Sequence, residues 1–512
     1  MINKKSLLIL ISIVLLGLFL RLYKLDALPL TTDEFLDINS SFGYHMTGQW
    51  KAWDFNSQMV NDSLFAPRDN RAWMYKIQVS QLFNFFDPTI FVARTVSVFW
   101  GVVSIVLVYF AGRYFTGKNA VGLISSFLFS ISIAGITIDR TLRMYAMLFP
   151  IFLLLSWLVF LFFEGKTGKD WESIEYLKRK TGFNFFWAPF VFIVFTLSFN
   201  LHLLTVVIGG VFLLYCLMKA LFIFKQEHSW KNKYVFFVVA SMLAFISTML
   251  LFPEIISYKN GSINFFKDSY YQGSIEFFRF NSRYILGAVS DYVNPFVAYA
   301  LICIGSYFLI KNNEEGNKKG LWLLASFFGI VGAMTFVLKF GYGLRFIYFA
   351  MPFGIILLAS GIYYIAKFVQ ENSLSSKKFF FMLTVTFFLL ALPDYNKLFF
   401  SQGIYSQIDE KDDYREAFAY LTKNSSRGDA LITRNFRNFY YARAGLIAHD
   451  LKAHQKISLA ELERIMSEND TVWGVFEKNS GSFDKEALAL IKKEFMVDKK
   501  FGDVVIFKRE KK

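Results

Sequence analysis

Apolar runs recur along the first 396 residues, separated by short polar segments. The first is "SLLILISIVLLGLFL". Each run is near the length that a helix needs to cross a hydrocarbon core of about 30 Å. The pattern predicts about eleven membrane spans, at 6–23, 93–112, 119–138, 146–163, 184–200, 202–224, 234–252, 295–310, 320–338, 346–366 and 379–396. From about residue 397 the texture becomes that of a water-soluble domain. "DDYREAFAYLTKNS", "SLAELERIMSEND" and "SFDKEALALIKKEF" have helical periodicity. "GDALIT", "TVWGVFEK" and "DVVIFKR" read as strands. Helices alternating with strands predict a small α/β domain.

The expected fold class is therefore a polytopic α-helical membrane protein with a C-terminal soluble α/β domain, divided as 1–396 and 397–512. Composition agrees: 55% of residues are hydrophobic and 63 are Phe, more apolar surface than a soluble globule can cover. The net charge of +15 would suggest nucleic acid in a soluble protein. Here the basic residues fall in short loops between spans, where the positive-inside tendency and anionic headgroups account for them, so nucleic-acid binding is not expected. Lys4, Lys5, Arg113, Lys118, the 166–180 cluster and Lys377–Lys378 place the N-terminus inside a plasma membrane and, with an odd number of spans, the tail outside. The first run lacks a small-x-small cleavage site and reads as an uncleaved span. Cys216 and Cys303 both lie within spans, as small apolar residues rather than a metal motif.

Three long segments face outward in this topology: 24–92, 253–294 and the tail from about 397. The first contains "AWMYKIQVSQLFNFF", suited to an interfacial helix, and "LDALPLTTDEFLDINSS". In the latter, Asp33 and Glu34 follow Thr31 and Thr32, either of which can cap a helix starting near Asp33. Taken alone, the acidic pair is a set of solvated loop charges. Arg94, Arg140, Arg143 and Arg345 fall at the same outer boundary. One such arginine simply snorkels to headgroups; four against the positive-inside tendency point to function.

A carboxylate beside arginines at headgroup depth suits transfer of a sugar from a polyprenyl-phosphate donor. The leaving lipid phosphate is already a stable anion; it requires cations, which arginine supplies through paired hydrogen bonds, and not the general acid of a glycosidase. The weakly nucleophilic acceptor benefits from one positioned base, worth about 10²–10⁴ in rate.

On these residues the chain resembles the GT-C superfamily of polyprenyl-phosphate-sugar-dependent glycosyltransferases, near the protein O-mannosyltransferases and lipid A aminoarabinose transferases. The pieces run in family order: "LRLYKLDALPLTTDEF", then "FFDPTIFVARTVSVFWG", "TLRMYAMLFPIFLLL" and "GLRFIYFAMPFGIILLASGI", and finally "YREAFAYLTKNSSRGDALIT", which is similar to the start of the tail domain of bacterial members. The resemblance implies Asp33 as catalytic base, with Glu34 orienting it, positioning the acceptor or contributing to a metal site. Arg94, Arg143 and Arg345 would contact the donor phosphate; Arg140, Tyr145, Tyr348 and His202 are further site candidates. A His-Pro-Pro-type segment of many relatives is replaced by "NRAWMYKIQVSQ", and Phe346 stands where the late motif usually has tyrosine. The expected partners are a polyprenyl-phosphate-linked sugar donor, a protein, lipid or glycan acceptor, and membrane lipids. No cofactor is expected, although Asp33, Glu34 and Asp139 carry oxygens suited to a divalent cation. The competing classes are a transporter or lipid flippase, which would show related halves and helices broken at midplane, and a noncatalytic receptor or assembly protein.

Overall fold

The computed structural model describes residues 3–61, 70–165, 171–251, 283–289, 291, 294–312, 314–337, 343–372, 414–450, 456–477 and 483–511. The chain folds as two compact units. One comprises Met1–Arg21, Val98–Asp139 and Tyr145–Tyr395; the other comprises Leu22–Ser97, Arg140–Met144 and Asn396–Lys512. The helices up to residue 164 are α1 (Lys4–Leu22), α2 (Thr32–Thr47), α3 (Trp73–Leu82), α4 (Ile90–Thr116), α5 (Asn119–Ser130), α6 (Ile133–Asp139) and α7 (Tyr145–Glu164).

The first unit is a helical membrane body. Among the described residues seven helices are long and apolar enough to span a bilayer, or nine if each of two bent pairs counts as one span. Ten of the expected spans fall on helices. The eleventh, 379–396, and most of the segment 253–294 lie outside the described residues. The expected uninterrupted helix over 119–138 is instead α5 and α6, bent by 60°.

A break inside a membrane body frees carbonyls on one side and N–H groups on the other, and each needs a partner. Arg21 supplies one side: Nη1 donates to Ser130 O (3.0 Å) and Gly17 O (3.1 Å), and Nη2 to Phe129 O (3.4 Å). Its Nε pairs with Asp139 Oδ2 at 2.8 Å, both side chains fully buried. Asp291 supplies the other side, accepting from Ala134 N (3.0 Å) and Ser132 Oγ (2.5 Å). A Cβ on Gly101 would run into Asp139 Oδ2 and Arg21 Nε, so α4 approaches this pair through a residue without a side chain.

The second unit joins the first loop to the soluble tail. Its five-stranded sheet has order β4-β3-β5-β7-β6, where β3 is Ala430–Thr433, β4 Ile447–Asp450, β5 Thr471–Glu477, β6 Met496–Phe501 and β7 Val504–Glu510; β1 (Trp53–Asp54) and β2 (Met59–Val60) form a separate hairpin. β3 runs parallel to β4 and β5, and β7 antiparallel to β5 and β6. Alternate residues of β5 feed two cores: Val472 and Phe476 pack with Leu462, Ile465 and Ile491 on one face, Trp473 and Val475 with Phe418, Leu421 and Ile506 on the other. Helices therefore cover both faces: Tyr414–Asn424 on one, Leu459–Glu468 and Lys485–Glu494 on the other. Ser458 and Asp484 cap the last two. The expected helices and strands are all present; β4 and β6 are additional.

Candidate active site

Thr31 caps α2. Its hydroxyl accepts from Glu34 N (3.4 Å) and Glu34 Oε2 accepts from Thr31 N (2.9 Å), a reciprocal capping box. Gly48, at φ 69°, closes the other end with its N–H on Tyr44 O.

Glu34 is held further. Its Oε1 accepts from Arg94 Nε (2.9 Å) and Leu142 N (2.7 Å), and its Oε2 from Arg94 Nη2 (3.0 Å). The side chain is fully buried. Burial pushes this carboxyl up, but the Arg94 guanidinium and the Thr31 and Leu142 N–H groups outweigh it and hold it below the ordinary glutamate value. Arg94 also donates from Nη1 to Leu25 O (2.9 Å) and Leu28 O (3.0 Å), and from Nη2 to Pro29 O (3.0 Å). All five guanidinium N–H groups are thereby engaged. In this arrangement the Arg94 N–H groups face Glu34 and main-chain carbonyls, and both Glu34 oxygens accept hydrogen bonds. The pair positions the first loop.

Asp33, on the other flank of α2, keeps 26% of its side chain exposed. Arg143 Nη2 lies 3.3 Å from Asp33 Oδ2, and Nη1 lies 2.7 Å from Asp37 Oδ2. Asp37 is one helical turn beyond Asp33, so one guanidinium serves two carboxylates on one helix face. The helix α3 brings up a second cation: Lys76, 1% exposed, donates to Ser40 Oγ at 3.0 Å and stands 5.4 Å from the centre of the Trp50 ring. Trp50 in turn stacks on Tyr44 at 4.2 Å. Burial, reinforced by the Asp33 charge, raises the Asp37 carboxyl above its ordinary value despite Arg143 and Lys76. Tyr75 and Ser97 share a 2.6 Å hydrogen bond, and Ser97 Oγ donates to Thr141 O (2.6 Å), tying α3 and α4 to the segment that carries Arg143. Asp37 and Lys76 were not among the expected site residues. The i, i+4 spacing of Asp33 and Asp37 on a capped helix was a usable signal for the first; nothing local marked Lys76.

The remaining candidates have these surroundings. Arg140 donates to Lys24 O at 2.7 Å. In the membrane body Tyr145, His202 and Phe346 gather, with Tyr145 ring centres 5.5 Å from His202 and 6.3 Å from Phe346. Exposed Arg345 lies 4.9 Å from the Phe346 ring centre. His202 Nδ1 accepts from Leu204 N at 3.1 Å and so caps the short turn that begins the next helix. Tyr348 is buried and donates to Asp139 Oδ1 at 3.1 Å. Asp139 is thus paired with Arg21 and Tyr348. Among the described residues no three His, Cys, Asp or Glu side chains converge as a metal site.

No family model matches the sequence, and no curated protein matches it. Solved structures do. ArnT from Cupriavidus metallidurans, bound to undecaprenyl phosphate, superimposes with TM-score 0.54 over 99% of this chain and 98% of its own, at 11% identity. The apo oligosaccharyltransferase of Archaeoglobus fulgidus gives TM-score 0.57 over 92% of this chain and 69% of its own, at 11% identity. The archaeal oligosaccharyltransferase AglB of the same organism, in complex with an inhibitory peptide and a dolichol-phosphate, gives 0.54 over 92% and 69%, at 10% identity.

The chain has the GT-C fold. At 99% coverage the GT-C likeness takes in the membrane helices, the first loop with α2, and the soluble tail together.

Proposed function

We propose that the chain is an inverting membrane glycosyltransferase that moves a sugar from a polyprenyl-phosphate donor to an acceptor on the extracytoplasmic side, with Asp33 as general base. The acceptor attacks the anomeric carbon opposite the phosphate and passes its proton to an Asp33 oxygen; the sugar–phosphate bond breaks and polyprenyl phosphate leaves as the anion. The observation that carries this reading is the division of labour on α2: Glu34 is consumed by Arg94 and backbone N–H groups, while Asp33 stays partly exposed on a capped helix, in contact with Arg143. Arg143 is the cation suited to the leaving phosphate; Arg345 joins it on the family resemblance alone. The fold supports the substrate class, because ArnT and AglB structures contain undecaprenyl phosphate and dolichol-phosphate. In this reading residues 1–396 form the catalytic membrane domain with a cytoplasmic N-terminus, and 397–512 an extracytoplasmic domain. A divalent cation is no part of the proposed step.

The test is a deletion strain complemented with wild type or Asp33→Asn, with glycans and glycolipids compared by mass spectrometry. The expected result is loss of one glycosylated product at normal protein level. An unchanged product profile would remove the enzymatic reading in favour of transport or assembly.

A further inference from the structure

The loop from Lys24 to Leu30 leads into α2, and its main chain is held by arginines from three separate segments. Lys24 O accepts from Arg140 (2.7 Å). Leu25, Leu28 and Pro29 O accept from Arg94 (2.9, 3.0 and 3.0 Å). Asp26, Ala27 and Leu28 O accept from Arg415 (2.9, 3.3 and 2.8 Å). Each carbonyl from 24 to 29 therefore meets a guanidinium. The next two N–H groups are also taken: Leu30 N donates to the Tyr440 hydroxyl (2.6 Å) and Thr31 N to Glu34.

Arg415 and Tyr440 belong to the soluble tail, 387 to 410 residues away in sequence. They are not alone. Asn438 Oδ1 accepts from Phe55 N (3.2 Å), Arg443 N donates to Phe55 O (3.0 Å), and Asn56 both donates to Leu446 O (2.7 Å) and accepts from Gly445 N (3.0 Å). The Tyr440 ring meets Phe35 edge-on at 5.0 Å. Phe35 is 2% exposed and directly follows the Asp33–Glu34 pair.

We propose that Arg415 and Tyr440 are positioning residues for the transfer reaction: the tail clamps the 24–31 loop and thereby sets the start of α2 and the direction of Asp33. This rests on Asp33 being the base. Charge-assisted hydrogen bonds from one guanidinium to three carbonyls fix a backbone that is neither helix nor strand. A catalytic group misplaced by about 1 Å can lose on the order of 10²-fold in rate. The tail is then part of the catalytic apparatus rather than an appended module.

The test uses the full-length protein in lipid nanodiscs. Amide hydrogen exchange is followed for Arg415→Ala, Arg415→Lys and Tyr440→Phe, and the same variants complement the deletion strain. Arg415→Ala is expected to speed exchange at 30–37 about tenfold or more, to leave the sheet strands β3 and β5 protected, and to reduce the glycosylated product strongly. Arg415→Lys, which keeps the charge but not the fork, is expected to restore part of both. Unchanged exchange at 30–37 in Arg415→Ala and Tyr440→Phe would overturn the clamp, as would faster exchange with an undiminished product. Should Arg415→Ala unfold the sheet, Tyr440→Phe, which keeps the ring and removes only the acceptor, decides by the same two readouts. Asp33→Asn run in parallel separates the two ideas: product retained there defeats the base assignment, whereas product lost in Asp33→Asn but full in fast-exchanging Arg415→Ala defeats the clamp alone.

Discussion

Arg143 and Asp37 form the shortest ion contact at the proposed base, 2.7 Å between Nη1 and Oδ2, while the same guanidinium reaches Asp33 only at 3.3 Å. The groups bearing charge on Asp37 are Arg143, Lys76 and Asp33, and burial with Asp33 carries its carboxyl above the ordinary value. Replacing Asp37 by Asn removes a negative neighbour from Asp33 while Arg143 stays beside it. Asp33 then stays ionised to lower pH. The acidic limb of the pH–rate profile of sugar transfer is expected to move to lower pH in Asp37→Asn. A loss of transfer on the order of 10²-fold or more would instead mean that Asp37 is itself the proton acceptor.

Glu34 has the opposite sign. Its folded-state carboxyl lies below the unfolded value, so it contributes stability that is fully present above the unfolded value and is lost as pH falls through the folded one. Glu34→Gln leaves the Arg94 guanidinium buried without its counter-ion and is expected to cost about 3–5 kcal/mol. The measurement is the thermal midpoint of the purified protein from pH 7 downward. The variant should start lower and show less acid sensitivity in the range where Glu34 titrates.

Gly101→Ala probes the break between α5 and α6. The added methyl meets Asp139 and Arg21 inside contact distance, and Arg21 cannot retreat without giving up the freed carbonyls of residues 129 and 130. Overpacking of this kind costs about 1–3 kcal/mol. A lowered thermal midpoint is the expected outcome, while Gly101→Ser should fare no better; a neutral Gly101→Ala would show that the helices slide apart freely there.

Tyr348→Phe separates structure from chemistry in the late motif. The hydroxyl's partner is Asp139 Oδ1, and removing the donor to a fully buried carboxylate costs about 1–3 kcal/mol. Sugar transfer should stay within a few-fold of wild type. A loss on the order of 10² or more would instead place the hydroxyl on the donor phosphate.

The membrane helices were legible because hydropathy over some twenty residues is a strong and local signal. The break at Ile131–Ser132 was not, since "FSISIAG" remains apolar through the bend and the residues that permit it, Arg21 and Asp291, are remote in sequence. In the tail, β5 and β7 announce themselves by buried apolar residues, whereas β6 ("MVDKKF") is an exposed edge strand with little to alternate. At the site, Thr31, Asp33 and Glu34 could be read from the capping pattern. The role of Arg94 could not: its side chain is spent on backbone carbonyls of residues 25, 28 and 29, and a carbonyl leaves no trace in the identity of the residue that bears it.

The arginine grip on residues 24–29 has an evolutionary corollary. What is recognised there is main chain, so the side chains of Asp26, Ala27 and Leu28 are unread by Arg415. That tripeptide can drift in sequence while Arg94, Arg140 and Arg415 cannot, and orthologues should carry three variable residues beside the buried Leu25, framed by three invariant arginines scattered across the chain.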